Sequence, residues 1–148
     1  MRAVCQRVKN AELFVDAKSV SAIDKGFLVY IGFCDDDTEQ SIQKALKKIC
    51  GLRVFDDAED KLNLSLSDVS GQLLLVSNFT LYGDCSRGFR PSFIKSAKFD
   101  YAKKLYDYSL KFIGESGIDV KPCVFGGDMS INSVADGPIN IIIDSEDL

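Results

Sequence analysis

The sequence predicts a single α+β domain over residues 1–148, with a mostly antiparallel, barrel-like sheet and two main helices. Three observations carry this. Short apolar runs bounded by glycine and polar turns recur along the whole chain, the mark of many strands. Only two segments repeat apolar residues every three to four positions over a helix length. The chain has 148 residues, with 46% hydrophobic and 10% aromatic content, enough to bury one core and too few to require a second domain.

Met1 to Val8 alternates small apolar and polar residues and reads as a strand. Glu12 to Val20, with Leu13, Val15 and Val20 among polar neighbours, reads as a second. Gly26 to Phe33 is a continuous apolar run, a third strand buried on both faces. Asp35, Asp36 and Asp37 form an acidic turn. They lack the spacing and closing glutamate of a calcium loop and fit the start of a helix better. Thr38 is a credible N-cap, and Ile42, Ala45, Leu46 and Ile49 predict a helix over Glu39 to Cys50.

Leu52 to Phe55 reads as a short strand and Asp56 to Lys61 as a polar turn. Leu62, Leu64 and Leu66 then alternate with polar residues before a turn at Ser70-Gly71. Leu73 to Leu81 begins as a buried strand and breaks into Ser77, Asn78 and Thr80, small polar residues for which a core has no use. They either begin a turn or mark a site. Tyr82 to Arg90 is a loop ended by Pro91. Tyr101, Leu105, Tyr108 and Phe112 predict the second helix, from about Lys98 to Ile113. Val120 to Phe125, Ser130 to Val134 and Ile139 to Ile143 are late strands separated by glycine-containing turns, and Asp144 to Leu148 is an acidic tail.

The chain contains no histidine, which removes the commonest general base, the commonest zinc ligand and every Ser-His or Cys-His nucleophile pair. Five cysteines without CxxC spacing imply neither a disulfide framework nor a zinc knuckle, so no metal or cofactor is expected. No apolar run spans a bilayer, and the first residues lack a signal-type apolar core. The expected location is cytoplasmic. The net charge of −4 argues against a broad nucleic-acid surface. Yet Ser86 to Lys104 holds Arg87, Arg90, Lys95, Lys98, Lys103 and Lys104 against Asp100 alone. This is either a solvated helix face or a positioned site for a phosphate or an RNA end, with Phe89 and Phe93 available for stacking. Gly137-Pro138, between two apolar runs, is an ordinary turn signal unless something sits opposite it.

Seven segments resemble those of the D-aminoacyl-tRNA deacylase family, in its order and at its spacing: Arg2–Val8, Leu52–Asp56, Lys61–Ser65, Val76–Leu81, Gly88–Phe93, Phe125–Met129 and Asp136–Pro138. The resemblance implies hydrolysis of the ester joining a D-amino acid, or misattached glycine, to the terminal adenosine of tRNA. It also implies a homodimer in which a cis Gly137-Pro138 motif enters the partner's pocket and rejects L-amino acids. Ser77, Asn78, Phe79 and Thr80 would line that pocket, Arg7 would orient the Gly-Pro loop, and Phe125 and Met129 would sit near the adenosine. A main-chain N–H near Phe79 and Thr80 would stabilise the oxyanion while the 2′-hydroxyl of the terminal ribose helps activate water. Thr80 as nucleophile ranks second, since nothing nearby in sequence takes its proton. A catalytically weak RNA-end or nucleotide-binding protein is the alternative. Three positions depart from the family pattern: Asn78 stands where it has glutamine, and Ala135 and Asn140 replace an asparagine and a threonine.

Overall fold

A computed structural model describes residues 1–148 as eight strands and two helices. In chain order these are β1 (Arg2–Val15), β2 (Lys18–Ile23), β3 (Gly26–Gly32), α1 (Glu39–Cys50), β4 (Phe55–Asp56), β5 (Leu62–Leu64), β6 (Gln72–Ser77), α2 (Phe99–Glu115), β7 (Asp119–Pro122) and β8 (Ser130–Asp144). A 3₁₀ turn, Phe79–Tyr82, follows β6, and another, Ser145–Asp147, follows β8. No helix is long and apolar enough to cross a membrane.

One mixed sheet of six strands organises the molecule, and β4 and β5 form a small antiparallel pair beside it. The strand β1 is long enough to serve three neighbours. One of its edges is shared between β3, along Arg2–Val8, and β2, along Ala11–Val15, while the other runs against β8. These pairings are antiparallel. The pairs β3–β6 and β6–β7 are parallel, as connections that pass through helices require. The sheet curls toward closure where β2 meets the end of β7, and the Ser21 hydroxyl donates to the Pro122 carbonyl at 2.5 Å.

Alternation along β3 and β6 feeds two cores. Phe27, Val29, Ile31, Leu73 and Leu75 face the helices with Met1, Leu46, Ile49 and Leu105, whereas Leu28, Leu74 and Val76 face the inside of the curl with Val8, Leu13 and Ile23. This two-sided burial is what the unbroken apolar run of β3 predicts. The helix α1 has its expected bounds because Thr38 and Ser41 cap it reciprocally, at 3.2 and 3.0 Å. Asp37 has a further role just before it: its buried carboxylate pairs with the Met1 ammonium and accepts from the Cys34 N–H.

Several expected boundaries move. The strands Met1–Val8 and Glu12–Val20 are parts of one hairpin, whose turn falls at Asp16-Ala17, both at positive φ. Bulges against β8 near Val8 shift the inside–outside alternation there, so the pattern breaks where the strand does not. The strand expected at Leu52–Phe55 is confined to Phe55–Asp56, and that at Val120–Phe125 to Asp119–Pro122. In α2 the buried stripe is Leu105, Tyr106, Ser109 and Ile113, leaving Tyr108 and Phe112 half-buried and stacked 6.3 Å apart. The largest correction concerns Ser130–Val134 and Ile139–Ile143. They belong to the single strand β8, which stays paired with β1 on both sides of Gly137-Pro138, with a register shift between them. Gln6 faces Asn140 and Val8 faces Ala135, so Asp136–Ile139 forms a bulge opposite Arg7 instead of a hairpin turn.

Candidate active site

Because β3, β6 and β7 run parallel, their C-terminal ends open on the same side, where parallel sheets place their crevices. A cavity of about 780 Å³ lies there. Its walls come from the end of β3 with Phe33, from Val76–Thr80, from Phe93, Ser96 and Ala97, from Phe99 and Ala102 of α2, and from Phe125–Met129. Gly32 permits this convergence: a Cβ on it would stand 2.8 Å from the Asn78 carbonyl oxygen.

Most polar groups at the end of β6 have a defined partner. The Ser77 N–H donates to Cys123 Sγ at 3.3 Å, and its hydroxyl lies 3.5 Å from the same sulfur. The Asn78 N–H donates to the Ile31 carbonyl at 2.8 Å. Asn78 Oδ1 caps the 3₁₀ turn, accepting from the Thr80 N–H at 3.1 Å and from the Thr80 hydroxyl as well. Both Thr80 donors are thereby committed. Phe79, first in the turn, carries an N–H that such a turn leaves without an internal partner, whereas that of Thr80 is taken by Asn78.

Aromatic rings supply the apolar walls. Phe79, more than half exposed, meets Phe93 edge-on at 5.1 Å, and Phe99 meets Phe125 in the same way at 5.1 Å. Tyr106 tilts against Phe125 at 5.4 Å, and the Lys103 ammonium sits 5.9 Å from the Phe125 ring centre. The Tyr106 hydroxyl donates to the Leu75 carbonyl and accepts from the Cys123 N–H, both at 2.8 Å, which locks the segment after β7 against β6. Burial pushes the Tyr106 phenol up, keeping it protonated for that donation. Burial likewise raises the phenol of Tyr30 in the cavity wall.

The cavity therefore brings together Ser77, Asn78, Phe79, Thr80, Phe125 and Met129. Arg7, Gly137 and Pro138 stand elsewhere on the same chain. Arg7 is buried and donates from Nη1 to the Val54 carbonyl at 2.7 Å and to Asp56 Oδ2 at 3.2 Å. Its Nε reaches the Asp136 carbonyl at 3.3 Å and Asp136 Oδ2 at 3.1 Å, gripping the start of the bulge. The Gly137-Pro138 bond is cis, and both residues are exposed. Sequence reasoning missed Phe99 and Asp128, which line the cavity, and Cys123 and Tyr106, which brace the end of β6 behind it. Only the Phe125–Met129 segment, which contains Asp128, gave a signal for any of them.

Residues 4–144 match the family described as D-Tyr-tRNA(Tyr) deacylase. The D-aminoacyl-tRNA deacylase of Thermotoga petrophila is 45% identical over 100% of this chain and 99% of its own length. That of Thermosipho africanus is 47% identical over 99% and 98%. A solved structure named c-Myc DNA Unwinding Element Binding Protein superposes with a TM-score of 0.92 at 31% identity, over 97% of this chain and 98% of its own.

Proposed function

This chain belongs to the D-Tyr-tRNA(Tyr) deacylase family, and from that premise we propose that it hydrolyses the ester joining a D-amino acid to the 3′ end of tRNA. The observation that carries the mechanism is the 3₁₀ turn at the end of β6. Phe79, which lines the cavity, opens that turn with an N–H that has no partner inside it, while Asn78 occupies both Thr80 donors. In this reading water adds to the ester carbonyl and the new oxyanion is held by the Phe79 N–H, a contribution of about 10²- to 10³-fold in rate. The neighbouring ribose hydroxyl relays the proton from water to the departing ribose oxygen. The free amino acid and tRNA result. Thr80 is a poor nucleophile here, because its hydroxyl proton goes to a neutral amide oxygen that cannot keep it.

Chiral selection is the finer part of the proposal. The Gly137-Pro138 bulge of a second copy enters the cavity and excludes side chains of L configuration, while glycine, having none, is admitted. Three features support a homodimer of this kind. Only β1 pairs with β8, so the outer edge of β8 carries no strand. Val134 and Ile142 on β8 are exposed apolar side chains, Ile142 at 72%. The bulge, fixed by Arg7, does not line the cavity of its own chain.

Hydrolysis of D-tyrosyl-tRNA with L-tyrosyl-tRNA spared is the expected result. In a Pro138→Ala variant the D/L ratio falls, and unchanged rejection of the L substrate removes the gate. A second reading, a nucleic-acid-binding protein of the same fold, is favoured by the name of the structure with TM-score 0.92. Tight binding of tRNA with no turnover of either substrate selects that reading.

A further inference from the structure

We propose that the loop from Gly83 to Lys98 grips the phosphates of the single-stranded 3′ end of tRNA leading into the cavity, with Arg87, Arg90, Lys95 and Lys98 as the anchoring cations. The proposal builds on the deacylase reading and adds the surface by which the polymer is held. The basic segment divides in the structure. Lys103 pairs with Asp107 at 2.5 Å and Lys104 approaches Glu39 at 4.0 Å, so the helix lysines have local partners. The side chains of Arg87, Arg90, Lys95 and Lys98 make no ion pair or hydrogen bond within the chain, and all four are exposed. Four exposed cations in twelve residues, of which Lys95 alone is near enough to a carboxylate, Asp84, to hold it lower, form a local positive field on a chain of net charge −4.

The loop is built rather than slack. Asp84 and Ser92 exchange backbone hydrogen bonds at 2.8 and 2.9 Å, closing the neck, and the Asp84 carboxylate accepts from the Ser86 N–H at 2.9 Å. The tip so defined carries Arg87, Phe89 and Arg90. Phe89 is fully exposed, an apolar ring with no packing partner in the fold. Beyond the neck the chain returns to the cavity, where Phe93, Ser96 and Ala97 form part of the wall, and Lys95 and Lys98 are their exposed neighbours in sequence. Free cations interleaved with an exposed ring suit a single strand, whose phosphates meet the cations while a base stacks on the ring. Asp84 and Asp100 share the segment and oppose a purely non-specific polyanion site.

The test is binding of deacylated tRNA across a potassium chloride series, paired with hydrolysis of D-tyrosyl-adenosine, which has no phosphate. In the variant R87Q/R90Q/K95Q/K98Q, the slope of log affinity against log salt flattens by about 3, from about 0.7 per phosphate on a single strand. Turnover of D-tyrosyl-adenosine stays at the wild-type rate. Phe89→Ala lowers affinity about 5- to 150-fold with the slope unaltered. Neutralising Lys44, Lys47 and Lys48 on α1, a comparable change in net charge, leaves the slope as it was.

Equal slopes for wild type and the loop variant overturn the proposal. So does an equal loss with the α1 variant, which reduces the effect to net charge. A loss on D-tyrosyl-adenosine as large as that on tRNA does the same, as does a changed oligomeric state of the loop variant, which reassigns the loop to contact between copies. If wild type hydrolyses neither substrate, the deacylase reading fails while the salt slopes still decide the surface.

Discussion

Asn78 and Thr80 divide their work in a way that substitutions separate. Asn78 Oδ1 caps the turn that aims the Phe79 N–H, so Asn78→Ala should cost about 1 kcal/mol of stability through the lost cap. It should also lower kcat about 10- to 100-fold, as misplacement of an oxyanion donor does. Thr80→Ala keeps the cap acceptor and the backbone donor, and its kcat should stay within about tenfold of wild type. Single-turnover rates on D-tyrosyl-tRNA check both, and near-total loss in a folded Thr80→Ala protein would restore the hydroxyl as nucleophile.

Arg7 is the other decisive single residue. Arg7→Met leaves the Val54 carbonyl without its donor and Asp136 without its cation, for a loss of about 2 to 4 kcal/mol in urea unfolding. The D/L ratio should fall with it, because the bulge is no longer held. A folded Arg7→Met protein with unchanged stability would show that the grip is dispensable.

Among the elements, the parallel pairing of β3 with β6 sets the site and tolerates least. A Cβ on Gly26 would lie 1.9 Å from the Gln72 carbonyl oxygen, so Gly26→Ala should cost more than about 4 kcal/mol or prevent folding, read as lost soluble yield and lost cooperative melting. Gly114 is the contrast within α2. A Cβ there meets only Val120 Cγ1 at 3.9 Å, so Gly114→Ala should stabilise by about 0.5 to 1 kcal/mol through helix propensity. A lower melting temperature for Gly114→Ala would count against the open space seen beside it.

Elements also show what was legible in the sequence. The helix α1 was readable to the residue because its cap and its apolar stripe are local. Ser77–Thr80 announced themselves as polar groups at the end of an apolar run. The strand β8 was divided in two because Gly137-Pro138 carries every local mark of a turn, and only its pairing with β1, far away in the chain, holds it as one ladder. Cys123 reaches the end of β6 because β7 lies beside it, and Tyr106 because α2 packs across it, placements set by the topology and not by their neighbours in sequence.

At the scale of the whole molecule, acid stability follows from five carboxylates held below their ordinary value of 3.8. Hydrogen bonds from Glu59 and Lys61 N–H groups lower Asp57, and those from Ser65 and Ser86 lower Asp68 and Asp84. Lys121 and Gln72 lower Asp119. At Asp144 burial works the other way but is outweighed by the Glu146 N–H and Arg2. Between the folded and ordinary values the unfolded chain binds more protons, so stability rises with pH there. The contribution is complete above the ordinary value and is lost as pH falls through 3.8 and below. Urea midpoints at pH 6, 4 and 3 should drop in that order, with a shallower drop for Asp144→Asn. A flat series would mean the unfolded chain keeps the same contacts.

The ladder between β1 and β8 has a consequence for synthesis. Its pairs run from Phe14 with Ser130 to Arg2 with Asp144, so a strand made at the start waits for one made near the end. At about 5 to 20 residues per second, the delay is roughly 6 to 30 s. During it β2 and β3 can zip onto one edge of β1 while the other edge remains open. The nascent chain is then β1 with β2 and β3 end to end along one edge and a bare flank on the other, and the register of that flank is chosen only when β8 arrives and Arg7 meets the Asp136 bulge.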